Sequence, residues 1–97
     1  MATVTVDIGT FITSTPGLHG GKPHILSKGV MVRTIAFRYK QGLNAEEIAA
    51  QFGHLSLAEV YAALSYYHAN VREIEADILK QSAEAKHLET EFTGITA

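Results

Sequence analysis

Cysteine is absent from this 97-residue chain. Disulfide stapling and thiolate chemistry are therefore excluded, and a reducing, cytoplasmic setting is expected. Long apolar runs are missing too: none approaches the ~20 residues a membrane helix needs. The opening Met1–Asp7 carries no basic n-region, so no secretory leader is expected. The two prolines, Pro16 and Pro23, fall in one stretch, and neither proline nor glycine interrupts Ser56 to Thr93. Acidic residues are absent from Lys22 to Lys40, which holds five basic ones. The histidines form no i, i+4 pair beside a carboxylate set, so no metal, cofactor, catalytic residue or small-molecule substrate is expected.

What is present fits one small, folded domain: 46% hydrophobic residues, 19% charged, net charge −2. A chain this short buries only about 60–65% of its unfolded surface, which makes oligomerisation or partner binding a reasonable expectation. Gly17-Leu-His-Gly-Gly-Lys-Pro23 looks at first like a phosphate-binding loop. That motif needs four residues between its glycines and a Ser or Thr after its lysine. Here three residues separate Gly17 from Gly21, and Pro23 occupies the hydroxyl position. Proline supplies neither an N–H nor a metal-binding oxygen. The stretch is a loop, not a nucleotide site.

The remaining pattern is mainly helical. Val4–Ile12 reads as a strand, Thr13–Pro23 as loop, and His24–Val32 as a short extended segment broken at Gly29. Val32, Ile35, Ala36 and Tyr39 follow the i, i+3, i+4, i+7 spacing of a helix that Gly42 closes. Asn44 with Glu47 forms a capping box, flanked by the staple pair Leu43 and Ile48. Twelve residues later Ser56 with Glu59, flanked by Leu55 and Val60, repeats the grammar. Helix, glycine turn at Gly53, helix is the helix-turn-helix outline. The expected fold is thus an N-terminal β segment (1–31), a helix-turn-helix core of three helices (32–70) and a long C-terminal helix (71–97).

The spacing beyond Ser56 predicts one unbroken helix. Val60, Leu64, Tyr67, Val71, Ile74, Ile78, Gln81, Ala85, Leu88 and Phe92 alternate steps of four and three, the repeat of a coiled-coil seam. The proximal positions Val60, Leu64, Tyr67 and Val71 carry no flanking repulsion and are expected to pair two copies in a homodimer or higher oligomer. The distal seam is flanked by acids, among them Glu75, Asp77 and Glu84. With anchors Ile74, Ile78, Leu88 and Phe92, it is expected to seek a basic protein partner. Residues 71–97 hold six acidic against three basic side chains. A fold-back of this helix on its own domain is the competing arrangement.

The order Gly20-Gly-Lys-Pro23, Ile25, then Gly42, Glu46-Glu-Ile48, His54-Leu55, Leu57, Val60, Ala62-Ala-Leu64 and Tyr66 resembles the domain-of-unknown-function family numbered 433 over about residues 13–70. The family's G-T-R-I falls on Ser27-Lys-Gly-Val30, so its arginine is missing here, although Lys28 and Arg33 flank the place. The resemblance implies a winged-helix-like or homeodomain-like helix-turn-helix and a VapB-type antitoxin role, paired with a PIN-like ribonuclease toxin and repressing its own operon on duplex DNA. DNA contacts are expected from Lys22, Lys28, Arg33, Arg38 and Lys40, with Ser56 and Tyr61 at the start of the recognition helix. Yet Ser56–Ala62 holds no Arg, Lys, Asn or Gln to read base edges. The competing readings are an oligomeric interaction module that does not bind DNA and a stand-alone transcriptional regulator. All five histidines read as surface or capping residues.

Overall fold

The computed structural model describes the backbone of residues 7–14, 17 and 21–96, and the side chains of these up to residue 83. A 3-10 turn (Ile8–Thr10) leads into strand β1 (Ile12–Thr13), which pairs antiparallel with β2 (His24–Ile25) in the register Ile12 to Ile25. Four helices follow: α1 (Val32–Lys40), α2 (Ala45–Phe52), α3 (Leu57–Ala69) and α4 (Val71–Thr96). The architecture is mainly α with a two-stranded sheet at its N-terminal side, as the sequence pattern implies.

The helix boundaries follow from local chemistry. At the end of α1, Gly42 adopts φ 100°, a left-handed conformation that glycine enters without Cβ strain. Its amide bonds to Tyr39 O and that of Leu43 to Arg38 O, the double closure of a Schellman motif. Asn44 accepts from the Glu47 amide at 2.8 Å while Glu47 accepts from the Asn44 amide at 3.0 Å. Ser56 and Glu59 reproduce the arrangement at 3.1 and 2.8 Å. Both staple pairs contribute to the core: Ile48, Leu55 and Val60 are buried and Leu43 packs against them.

The core gathers around α1, which packs chiefly on α3 and next on α4. Ile25, Val32, Ile35, Ile48, Val60 and Ile74 are its largest fully buried side chains. At about 25 cal/mol per Å² of apolar area, each such side chain contributes roughly 1.5–3 kcal/mol on burial.

Three expectations are corrected. The strand expected across Val4–Ile12 gives way at Ile8–Thr10 to a 3-10 turn, because Asp7 accepts from the Gly9 amide at 3.0 Å and so caps a turn; the part before Asp7 lies outside the described residues. His24 is buried, its Nδ1 3.0 Å from Lys22 O, and so is not a surface histidine. The single helix from Ser56 is two helices. Asn70, at φ −135° and ψ 47°, leaves the helical region, and its side-chain amide donates to Tyr66 O at 3.1 Å. Beyond that break α4 folds back along α1.

Candidate protein-interaction surface

The fold-back decides where the charged residues go. Asp77, expected on an acidic rim, is buried, with Arg33 Nη1 at 3.0 Å and Lys22 Nζ at 3.7 Å from the same carboxylate oxygen. Lys40 pairs with Glu75, whose other oxygen accepts from the Tyr67 hydroxyl at 2.7 Å. The bond from Lys40, then that from Tyr67, holds the Glu75 carboxyl below the usual glutamate range. The same Glu75 bond, ahead of burial, raises the Tyr67 phenol above its ordinary value. Burial and then the Glu73 charge raise Tyr66.

Lys28 serves the turn between α2 and α3. Its ammonium donates to His54 O at 3.1 Å and lies 3.8 Å from Glu59 Oε1, while the His54 ring spans Phe52 O and Lys28 O. The position beside the family's missing arginine thus staples the β2–α1 turn to the helix-turn-helix. Arg38 stacks over the Phe52 ring at 5.9 Å. Of the five basic residues expected on DNA phosphates, Lys22, Lys28, Arg33 and Lys40 therefore have carboxylate partners within the chain. Opposite charges on one chain neutralise each other when a helix can reach, and α4 reaches.

The seam residues are similarly redirected. Val60, Leu64 and Tyr67, expected between two copies, lie in the chain's own core, and so do Ile74 and Ile78, expected in a partner's groove. Val71 remains exposed. The side chains of Glu84, Leu88 and Phe92 lie outside the described residues. Ile74 and Ile78 of α4 sit in the same core cluster as residues of α1, α2 and α3.

What the fold leaves open is the outer face of α3. Ala58, Ala62, Ser65 and Ala69 run at spacings of four and three along it, with Tyr61 and Tyr66 beside them. The 3-10 turn and β1 form the opposite wall through Ile8 and Ile12, enclosing an open groove of about 610 Å³. Ile8 is 68% exposed and Tyr61 50%, high values for large apolar and aromatic side chains. Small residues on one wall with bulky ones on the rim let another backbone approach closely. Ser56 caps its helix and Tyr61 lines this groove. The helical spacing of Ala58, Ala62, Ser65 and Ala69 is visible in the sequence, but only the burial of α3's opposite face marks theirs as the outer one.

Among the described residues no group of His, Asp and Glu could hold a metal ion, and no helix is long and apolar enough to cross a membrane. The groove and helix order define a small helix-turn-helix protein with an N-terminal β-hairpin and an apolar outer face on its second motif helix. The chain belongs to the family described as "Protein of unknown function (DUF433)", whose model matches residues 12–67. It is similar to a solved DUF433 member protein from Anabaena variabilis ATCC 29413: 30% identity, 72% of this chain and 69% of that one covered, TM-score 0.67. No curated protein matches the sequence. The family match stops within α3, so α4 lies beyond it.

Proposed function

We propose that the chain works by holding another protein, as the antitoxin of a toxin–antitoxin pair holds its toxin, and that it does not read base sequence. The observation that supports this reading is the outer face of α3. A recognition helix presents Arg, Lys, Asn or Gln to base edges in the major groove; this face presents alanine, serine and tyrosine around an apolar groove. Non-specific DNA affinity scales with the number of phosphates neutralised, and most of the basic cluster is already engaged by Glu59, Glu75 and Asp77. The family resemblance supplies the antitoxin expectation, and the groove supplies a means of contact. The ribonuclease is basic because its substrate is a polyanion, so the acids of distal α4 aid encounter while the α3 groove supplies apolar anchorage.

The test is growth rescue against the product of an adjoining reading frame, with Ala58→Arg and Tyr61→Ala, both at exposed positions. Each is expected to abolish rescue while circular dichroism stays unchanged, whereas Arg38→Gln retains rescue. Duplex-binding anisotropy at low salt is expected to show no sequence preference. Sequence-selective binding tighter than the ~10⁻⁴–10⁻⁶ M typical of non-specific complexes would overturn the reading in favour of a DNA-binding regulator.

A further inference from the structure

The junction at Asn70 joins a sequence written as one helix to a structure that contains two. From Ser56 to Thr93 there is no proline or glycine, yet the backbone breaks at a single residue, Asn70, between Ala69 and Val71. A break of this kind has a backbone cost. The first amides of α4, those of Val71, Arg72 and Glu73, have no i−4 carbonyl within their own helix. Asn70's side chain serves the end of α3 by donating to Tyr66 O. Moving Asn70 into helical geometry would give all three amides the carbonyls of Tyr67, His68 and Ala69.

A straightened α3–α4 cannot lie along its own α1. Ile74, Asp77 and Ile78, buried in the folded-back form, would then be exposed, with a carboxylate separated from Arg33 and Lys22. The surface that fits them is another α1 bearing Arg33 and Lys40 beside a Gly21-Lys-Pro23 loop, and a second copy of this chain carries it. Most of α4's docking is onto α1 rather than α3, so little of it depends on α3 and α4 sharing a chain. Val71, exposed when α4 folds back, falls between Tyr67 and Ile74 on the straight seam.

We propose that Asn70 is a hinge through which α4 exchanges between two copies, each α4 docking on the other's α1 through Arg33–Asp77 and Lys40–Glu75. The exchanged dimer re-forms α4's pairs with α1 between copies and gains helical continuity while giving up the Tyr66–Glu73 bond across the hinge, and its population rises with concentration because association entropy opposes it. The hinge touches the α3 groove only at its end, where Asn70 adjoins Ala69 in the lining.

A charge swap tests it in the full chain. Arg33→Asp alone sets two carboxylates together, and Asp77→Arg alone sets two cations together, in monomer and homodimer alike. Co-refolded at equal ratio, the two variants can satisfy both sites only as an exchanged heterodimer, with one native and one inverted pair. Native mass spectrometry is expected to show that heterodimer dominating over either homodimer. Independently, Asn70→Ala, which favours the helical junction, is expected to raise the dimerisation constant about tenfold, roughly threefold from each hinge. Inserting Gly-Gly-Ser after Asn70 is expected to return the protein to monomer. A monomeric Asn70→Ala protein, or a mixture in which the heterodimer is no more abundant than the homodimers, overturns the exchange.

Discussion

The buried carboxylate of Asp77 offers the sharpest test of how α4 is held. Its side chain is 3% exposed and that of Arg33 18%, while Lys22 at 40% stays largely hydrated. Replacing Asp77 with Asn removes the charge and keeps the volume, leaving the Arg33 guanidinium four-fifths buried without a counter-ion. One of its nitrogens, Nε, already has no hydrogen-bond partner, so little reserve remains for it. Breaking a buried pair by removing one partner costs roughly 3–5 kcal/mol. Arg33's residual exposure places this site near the lower bound, at about 3 kcal/mol. In a domain of this size that corresponds to a fall in Tm of roughly 12–24 °C, at 4–8 °C per kcal/mol. Urea denaturation followed by circular dichroism measures it directly. The apolar double variant Arg33→Met/Asp77→Leu should recover most of the loss, because neither charge then needs desolvating. An Asp77→Asn protein within about 0.5 kcal/mol of wild type, the scatter of ordinary surface substitutions, would show that α4 does not depend on this pair.

Four further substitutions probe the second ion pair, the helix caps and the Gly53 turn. Glu75→Gln should lower stability at neutral pH but not in acid: the folded carboxyl titrates below its unfolded value, so its contribution is present above about pH 4.3 and lost as pH falls through the lowered folded value. Urea midpoints of the two proteins should converge at low pH, and a constant gap would assign the effect to packing. Asn44→Ala should cost about 1 kcal/mol as a lost cap. Glu59→Ala should cost more, about 2 kcal/mol, since Glu59 also faces Lys28; equal losses would remove the Lys28 contact from the account. Gly53→Ala should cost about 1–2 kcal/mol by urea titration, although a Cβ there meets no atom within 4 Å, because φ is 71°.

Local chemistry alone placed much of this protein. The two capping boxes, the glycine closures at Gly42 and Gly53, and the apolar spacing of α1 and α2 each act within about one helical turn. A reader of the sequence meets every participant within five residues. The junction at Asn70 was not legible in this way, since nothing between Ala69 and Val71 forbids a helix. It takes its conformation because Ile74, Ile78 and Asp77 find their partners on α1, some forty residues earlier in the chain. The same long-range pairing converted an apparently basic N-terminal half and an apparently acidic C-terminal helix into mutual counter-ions. Val60, Leu64 and Tyr67 read as a seam for another molecule, because a 3.5-residue repeat records which side of a helix is buried and not what buries it. Conversely, the groove over Ala58, Ala62 and Ala69 arises because Ile8 and Ile12, distant in sequence, come up beside α3 as its opposite wall. Sequence periodicity determined the helices and their apolar sides; tertiary packing, through burial and charge pairing at long range, decided which of those sides remained available to a partner.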